Sequence, residues 1–132
     1  MTLVTKRLAA KPLKQLTETE LEECRRLTLG EHAGMQSTMK WLFHEPSECA
    51  EALMIWGVDG KLVGWALFYQ KEGKPASQYY VDEPYRRNGV GTKLAQAVMR
   101  RSKNSAVFPW DPASHRFFER FNNLEKTPYW NF

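Results

Sequence analysis

Between Val81 and Leu94 the chain reads VDEPYRRNGVGTKL. Two arginines, an asparagine and two glycines stand where an apolar strand pattern gives way to a helical one, and those residue types in that order suit a phosphorylated group. A glycine-containing loop that runs straight into a helix leaves several main-chain N–H groups without intrahelical acceptors, all pointing one way at the positive end of the helix dipole. Gly89 and Gly91 allow the main chain to approach a phosphate with no Cβ between them, and Arg86 and Arg87 add charge at the rim. A diphosphate is the guest that fits. The stretch carries neither the GxxxxGKS/T pattern of nucleotide-hydrolysing loops nor the dinucleotide GxGxxG pattern.

The distribution of charge points the same way. The chain holds 19 basic and 15 acidic residues, a net charge of +4, which decides little. From Pro84 to Trp110, however, there is no Asp or Glu, while Arg86, Arg87, Lys93, Arg100, Arg101 and Lys103 all fall inside that window. A one-signed segment raises the local concentration of anions, either nucleic acid or a small phosphorylated cofactor; a solvated helix face is the bland alternative. A nucleic-acid binder more often spreads its charge along an exposed sheet or helix with reachable aromatics and has no need of Gly89 and Gly91, so nucleic acid ranks below the small cofactor.

The elements that must position this loop follow from pattern. The 132 residues, 42% hydrophobic and 26% charged, suffice for one compact domain over 1–132 and leave no room for a second. Leu3–Leu8 reads as a first strand. Thr17 followed by Glu20 is a capping box, so a helix is expected from Glu18 to about Leu29 with Leu21, Cys24 and Leu27 inward and Gly30 as its stop. A shorter helix is expected over Ser37–Phe43, ended by Pro46. Ala52–Val58 and Lys61–Gln70 are strands whose Asp59-Gly60 connection signals a type I′ hairpin. Lys71–Pro75 is a second turn and Ser77–Val81 a further strand, which makes an antiparallel meander. After the loop come a helix over Gly89–Ser102, with Val90, Leu94 and Val98 on one stripe, and a short strand over Ala106–Phe108, parallel to the strand before the helix. Ala113–Phe121 reads as a last helix and Leu124–Phe132 as a final extended segment.

No apolar run approaches the roughly 18 residues a membrane helix needs, and Lys6 and Arg7 interrupt any signal-peptide core, which implies a cytoplasmic protein with no membrane partner. Cys24 and Cys49 are too few for a disulfide framework, and His32, His44 and His115 lack ligand spacing, so no metal is expected and the thiols read as buried and reduced.

In this context VDEPYRRNGVGTKL resembles the acyl-CoA signature of the GNAT N-acetyltransferase superfamily, whose core is Arg/Gln-x-x-Gly-x-Gly/Ala, here Arg86, Gly89 and Gly91. The order of elements resembles the family's from Leu3 to Phe132. The resemblance implies an α/β (α+β) fold: a central, mostly antiparallel mixed sheet, splayed between its fourth and fifth strands and flanked by about four helices. It implies acetyl-CoA as acyl donor, an amine as acceptor, and transfer by direct attack in a ternary complex. The main chain of Arg86, Arg87, Asn88, Gly89, Val90, Gly91 and Thr92 would cradle the coenzyme A diphosphate, and Arg86, Arg87 or Lys93 would reach the 3′-phosphate. Pantetheine would lie beside Tyr80 and Val81 where their strand parts from its neighbour near Phe108, and the Val81 N–H would polarise the thioester carbonyl. Because dimers are frequent in the family, a homodimer is the assembly it suggests.

The segment DPASHRFFER resembles the family's Asn-x-x-Ala-x-x-Phe-Tyr-Glu-Lys helix, with Asp111 at the pantetheine-contacting position and Ser114 at the small one. Phe118 occupies the position where the family often has a tyrosine that protonates the departing thiolate, and phenylalanine has no hydroxyl to give. Tyr129 is a substitute acid, or equally a core or edge aromatic. On the acceptor side the resemblance places His44, Glu45 and Glu48 in the linker that shapes the amine pocket. Glu45 is the candidate base, against ordinary surface placement. A catalytically weak protein of the same fold that binds acyl-CoA or a protein partner is the second reading, suggested by Phe118.

Overall fold

A computed structural model of the chain describes residues 4–31, 50–71, 73–85, 89–101, 106–107 and 125–126. In chain order these form β1 (Val4–Pro12), a 3-10 turn (Leu13–Gln15), α1 (Glu18–Glu31), β2 (Glu51–Gly57), β3 (Leu62–Lys71), β4 (Lys74–Val81), a second 3-10 turn (Glu83–Tyr85), α2 (Val90–Arg101), β5 (Ala106–Val107) and β6 (Glu125–Lys126). The expected helices over Ser37–Phe43 and Ala113–Phe121 lie outside the described residues.

The sheet runs β1-β2-β3-β4-β5-β6. β2 to β4 form the expected antiparallel meander, β1 pairs antiparallel with β2, and β5 joins β4 in parallel after the α2 crossover. β6 adds to β5, also in parallel. The sheet is covered on both sides, which is why β2 and β3 read as nearly unbroken apolar runs rather than alternating ones. On one face Ala52, Met54, Leu62, Trp65, Leu67 and Tyr80 pack with Cys24 and Leu27 of α1. On the other, Leu53, Ile55, Val63 and Ala66 pack with Val90, Leu94, Ala97 and Val98 of α2. Cys24 is fully buried, and burial pushes its thiol well above the ordinary range, so it is a small apolar core residue.

Four boundaries differ from the sequence reading. α1 continues through Gly30 to Glu31, so Gly30 does not end it; a glycine's cost of about 1 kcal/mol in a helix is within what tertiary packing overrides. β1 runs on to Pro12, and β4 begins at Lys74, so Pro75 lies within a strand rather than a turn. The hairpin at Asp59-Gly60 is not type I′: the Gly60 N–H donates to the Gly57 carbonyl (3.1 Å), which makes Val58 and Asp59 the central residues, and Gly60 follows at φ 83°. Such a three-residue connection is a turn with a glycine bulge. Its register irregularity reaches β3, where Ile55 pairs with Gly64 and Trp56 with Leu62, leaving Val63 unmatched on β2.

Candidate active site

The end of β4 has a definite orientation. The Asp82 N–H donates to the Val63 carbonyl (2.9 Å), just beyond the Gly64↔Val81 pair. In an antiparallel ladder that bond makes Gly64↔Val81 a non-hydrogen-bonded pair and Trp65↔Tyr80 a hydrogen-bonded one. The main-chain groups of Val81, and by alternation of Tyr79 and Ser77, therefore turn away from β3 toward the β5 side. The same alternation puts the missing N–H of Pro75 on the β5 side, so its place in β4 costs no bond to β3. The eight β3–β4 pairs run the length of β4, whereas the described β4–β5 pairs are Ala76↔Ala106 and Ser77↔Val107, at the end of β4 remote from Val81. From Ser77 to Val81 the edge of β4 extends roughly 13 Å beyond that pairing.

Tyr80 supports this edge from within. Its ring stacks on Trp65 with centroids 5.5 Å apart, both rings being buried. Its hydroxyl donates to Gln78 Oε1 (2.7 Å), whose Nε2 donates to the Tyr69 hydroxyl (3.1 Å). On the opposite face the Ser77 hydroxyl donates to that of Tyr79 (3.0 Å), and burial pushes the Tyr79 phenol far above its usual range. These polar chains satisfy hydroxyls that would be costly to bury alone.

Beyond Val81 the chain is pinned again. The Asp82 carbonyl accepts from the Tyr85 N–H (2.9 Å), closing the 3-10 turn, and Tyr85 is buried against α2. Gly89 then caps α2: its carbonyl accepts the first helical bond, from the Lys93 N–H (3.0 Å), and its φ is 83°. That conformation favours glycine, and a Cβ built on Gly89 would meet nothing within 4 Å among the described residues apart from its chain neighbours. The N–H groups of Val90, Gly91 and Thr92 precede the first helical bond and have no acceptor within the helix. A glycine cap offers them no side chain, and the first turn of α2 contains no Asp or Glu. Lys93 sits half-buried in that turn. Among the described residues the arrangement suits a diphosphate: a cap with no side chain, main-chain donors, the positive end of a helix and no carboxylate in its first turn.

Sequence reading missed the ionic clamp that ties α1 to this corner. Leu62 lies one residue past Val63, where β4 has already ended. Its N–H donates to Glu23 Oε1 (2.9 Å) and its carbonyl accepts from Arg26 Nη2 (2.9 Å). Arg26 also grips Glu23 through two bonds of 3.0 Å, and its Nη1 lies 3.5 Å from Asp82 Oδ2. The hydrogen bonds from Arg26, helped by that from the Leu62 N–H and opposed by burial, hold the Glu23 carboxyl below its ordinary value. Side chains thus replace the strand partner that Leu62 lacks. The Glu23/Arg26 spacing of one helical turn is visible in sequence, but its partners 36 and 39 residues away are not.

Among the residues singled out from sequence, the structure places Tyr80, Val81, Gly89, Val90, Gly91, Thr92 and Lys93 along one strand–loop–helix junction. Arg86, Arg87, Asn88, His44, Glu45, Glu48, Asp111, Ser114, Phe118 and Tyr129 lie outside the described residues. The basic window is not wholly available for an anion. Arg101 is bound to both carboxylate oxygens of Glu51 and donates to the Ala97 carbonyl (3.0 Å). Among the described residues no cluster of His, Cys, Asp and Glu could hold a metal, and no helix is long and apolar enough to cross a membrane.

Several solved structures share this architecture. An acyl-CoA N-acyltransferase from Pseudomonas aeruginosa superposes with a TM-score of 0.58 at 20% identity, over 74% of this chain and 70% of its own. An acetyltransferase of the GNAT family from Staphylococcus aureus gives 0.62 at 12% identity, over 86% and 82%. The xEco2 acetyltransferase domain, solved bound to a CoA conjugate, gives 0.60 at 14% identity, over 92% and 93%. At such identities the likeness is one of fold. A search of curated proteins found no match. The sequence pattern of the acetyltransferase (GNAT) family matches residues 13–122, which contain α1, the meander, the glycine loop and α2. The chain belongs to the acetyltransferase (GNAT) family.

Proposed function

We propose that the protein is an acetyl-CoA-dependent N-acetyltransferase that acetylates a primary amine on a small molecule or a protein. The observation that carries this reading is the glycine-capped N-terminus of α2 standing next to the outward-turned end of β4. In this reading the amides of Val90, Gly91 and Thr92 hold the diphosphate, with Arg86, Arg87, Asn88 and Gly89 completing the cradle. Arg86, Arg87 or Lys93 meets the 3′-phosphate, while Asp111, Ser114 and Phe118 border the pantetheine. The family resemblance and the CoA conjugate in the xEco2 domain support the donor class.

The amine nitrogen attacks the thioester carbonyl carbon in a ternary complex, forming the C–N bond as the carbonyl oxygen gains charge. The Val81 N–H, directed to the β5 side, donates to that oxyanion; such a donor contributes on the order of 3 kcal/mol when aimed at the developing charge. Collapse breaks the C–S bond and expels CoA thiolate. The amine proton passes to a base, for which Glu45 is the candidate, directly or through water. Phe118 cannot protonate the thiolate. A thiol with pKa near about 8.5 leaves as the anion and takes its proton from water or from Tyr129.

A thiol-release assay with acetyl-CoA against polyamines, aminoglycosides, amino acids and basic peptides tests the reading. Release that depends on one of these amines, above the amine-free rate, is expected. Tight acetyl-CoA binding with no amine-dependent release across the panel would instead favour a protein of this fold that binds acyl-CoA without turnover.

A further inference from the structure

Gly64 belongs to neither the loop nor β4, yet both halves of the proposed donor site rest on it. It pairs with Val81 across the β3–β4 ladder, in the closer, non-hydrogen-bonded kind of pair. On the α2 face, a Cβ built on Gly64 would stand 2.5 Å from Val90 Cγ1, 3.4 Å from Leu94 Cδ1 and 3.5 Å from the Tyr80 carbonyl oxygen. The last two are ordinary contacts and the first is a collision. Val90 is the first residue of α2, only 4% exposed, and packs with Val63 and Leu94. Its short branched side chain is held in the core, so it has little room to swing aside. A side chain at position 64 therefore collides with the first turn of α2, and lifting that turn from the sheet by roughly 1 Å would restore an ordinary contact. That turn carries the amides of Val90, Gly91 and Thr92.

We propose that Gly64 is a positioning residue for the acyl donor. The absence of a Cβ there sets the height of the α2 N-terminus over the end of β4, and with it the spacing between the diphosphate-binding amides and the Val81 N–H. One donor molecule must meet both, and a displacement of about 1 Å at a remote support can cost up to a hundredfold. The proposal rests on the acetyl-CoA reading above and adds to it a residue whose role lies in spacing rather than contact. A lone glycine inside an apolar strand is the sequence sign of such a close approach.

The test compares wild type, Gly64→Ala and Gly64→Ala/Val90→Ala by calorimetric titration with acetyl-CoA and with dephospho-CoA. Each is held well below its melting temperature with circular dichroism confirming the fold. Gly64→Ala is expected to weaken both ligands by a similar factor, roughly tenfold, because both carry the diphosphate. The double variant, which removes the colliding Cγ1, is expected to regain most of that loss. A purely structural role would lower the melting temperature and leave the dissociation constants alone. Wild-type affinity in folded Gly64→Ala overturns the role, as does a folded double variant that stays as weak as the single one. If Gly64→Ala does not fold, the double variant decides alone: near-wild-type affinity supports the role and a loss comparable to tenfold overturns it. A wild-type protein that binds neither ligand would remove the acetyl-CoA reading itself, whereas wild-type binding with an indifferent Gly64→Ala removes only the role of Gly64.

Discussion

The two described helices begin in opposite ways. At α1 the Thr17 hydroxyl accepts from the Glu20 N–H (3.2 Å), and Glu20 Oε1 accepts from the Thr17 N–H (2.7 Å) and from Lys11 Nζ (2.8 Å). Two glutamates, Glu18 and Glu20, stand in its first turn. Burial works to raise the Glu20 carboxyl, but Lys11 and Thr17 outweigh it and hold it below the ordinary range. At α2 the cap is a glycine with φ 83°, and no acidic residue stands in the first turn. Both termini have the same unsatisfied main-chain donors and the same dipole. The protein's own side chains close the first terminus, whereas at the second neither Gly89 nor an acidic residue of the first turn does so, and in the proposed reading its anion comes from outside.

Making the second terminus resemble the first should have the largest effect. Gly89→Asp supplies a capping carboxylate at a residue type that tolerates the left-handed conformation, so the helix should persist. Its charge occupies the donors and repels a diphosphate, and acetyl-CoA affinity measured by calorimetry should fall roughly a hundredfold. Unchanged affinity with native circular dichroism would end the assignment of this loop. Conversely, Thr17→Ala opens the first terminus: it should cost about 1 kcal/mol of stability in denaturant unfolding and leave the acetyl-CoA dissociation constant where it was.

The smallest effect concerns pH. Glu20 and Glu23 both have carboxyls held below the ordinary value, so their stabilising contribution is complete above the unfolded pKa of about 4.3 and disappears as pH falls through the lower folded values. The difference in melting temperature between wild type and Glu23→Gln should therefore be steady near neutrality and shrink below about pH 4. A gap that widens on acidification would contradict the clamp.

What was legible in the sequence was local. The capping box of Thr17 and Glu20, the meander, and the helix that opens after Gly89 each depend on residues within a turn or two of one another, and all of those elements stand in the fold. Pro75 misled because a proline suggests a turn, and its tolerance within β4 depends on which neighbouring strand its missing donor faces. The Gly60 bulge misled because Asp-Gly serves both two-residue and three-residue connections. The Glu23–Arg26–Leu62 clamp and the seat that Gly64 provides for Val90 join distant parts of the chain. The sequence shows the Glu23/Arg26 spacing and a lone glycine in an apolar strand, but not the distant partners that each meets.

The most direct test of the account is to follow the main-chain amide resonances of the isotopically labelled protein during titration with CoA. The largest shifts are expected on Gly89 to Lys93 and on Val81, while Thr17 to Glu20 stay still. Shifts concentrated elsewhere, with the amides of Val90, Gly91 and Thr92 undisturbed at saturation, would contradict the account.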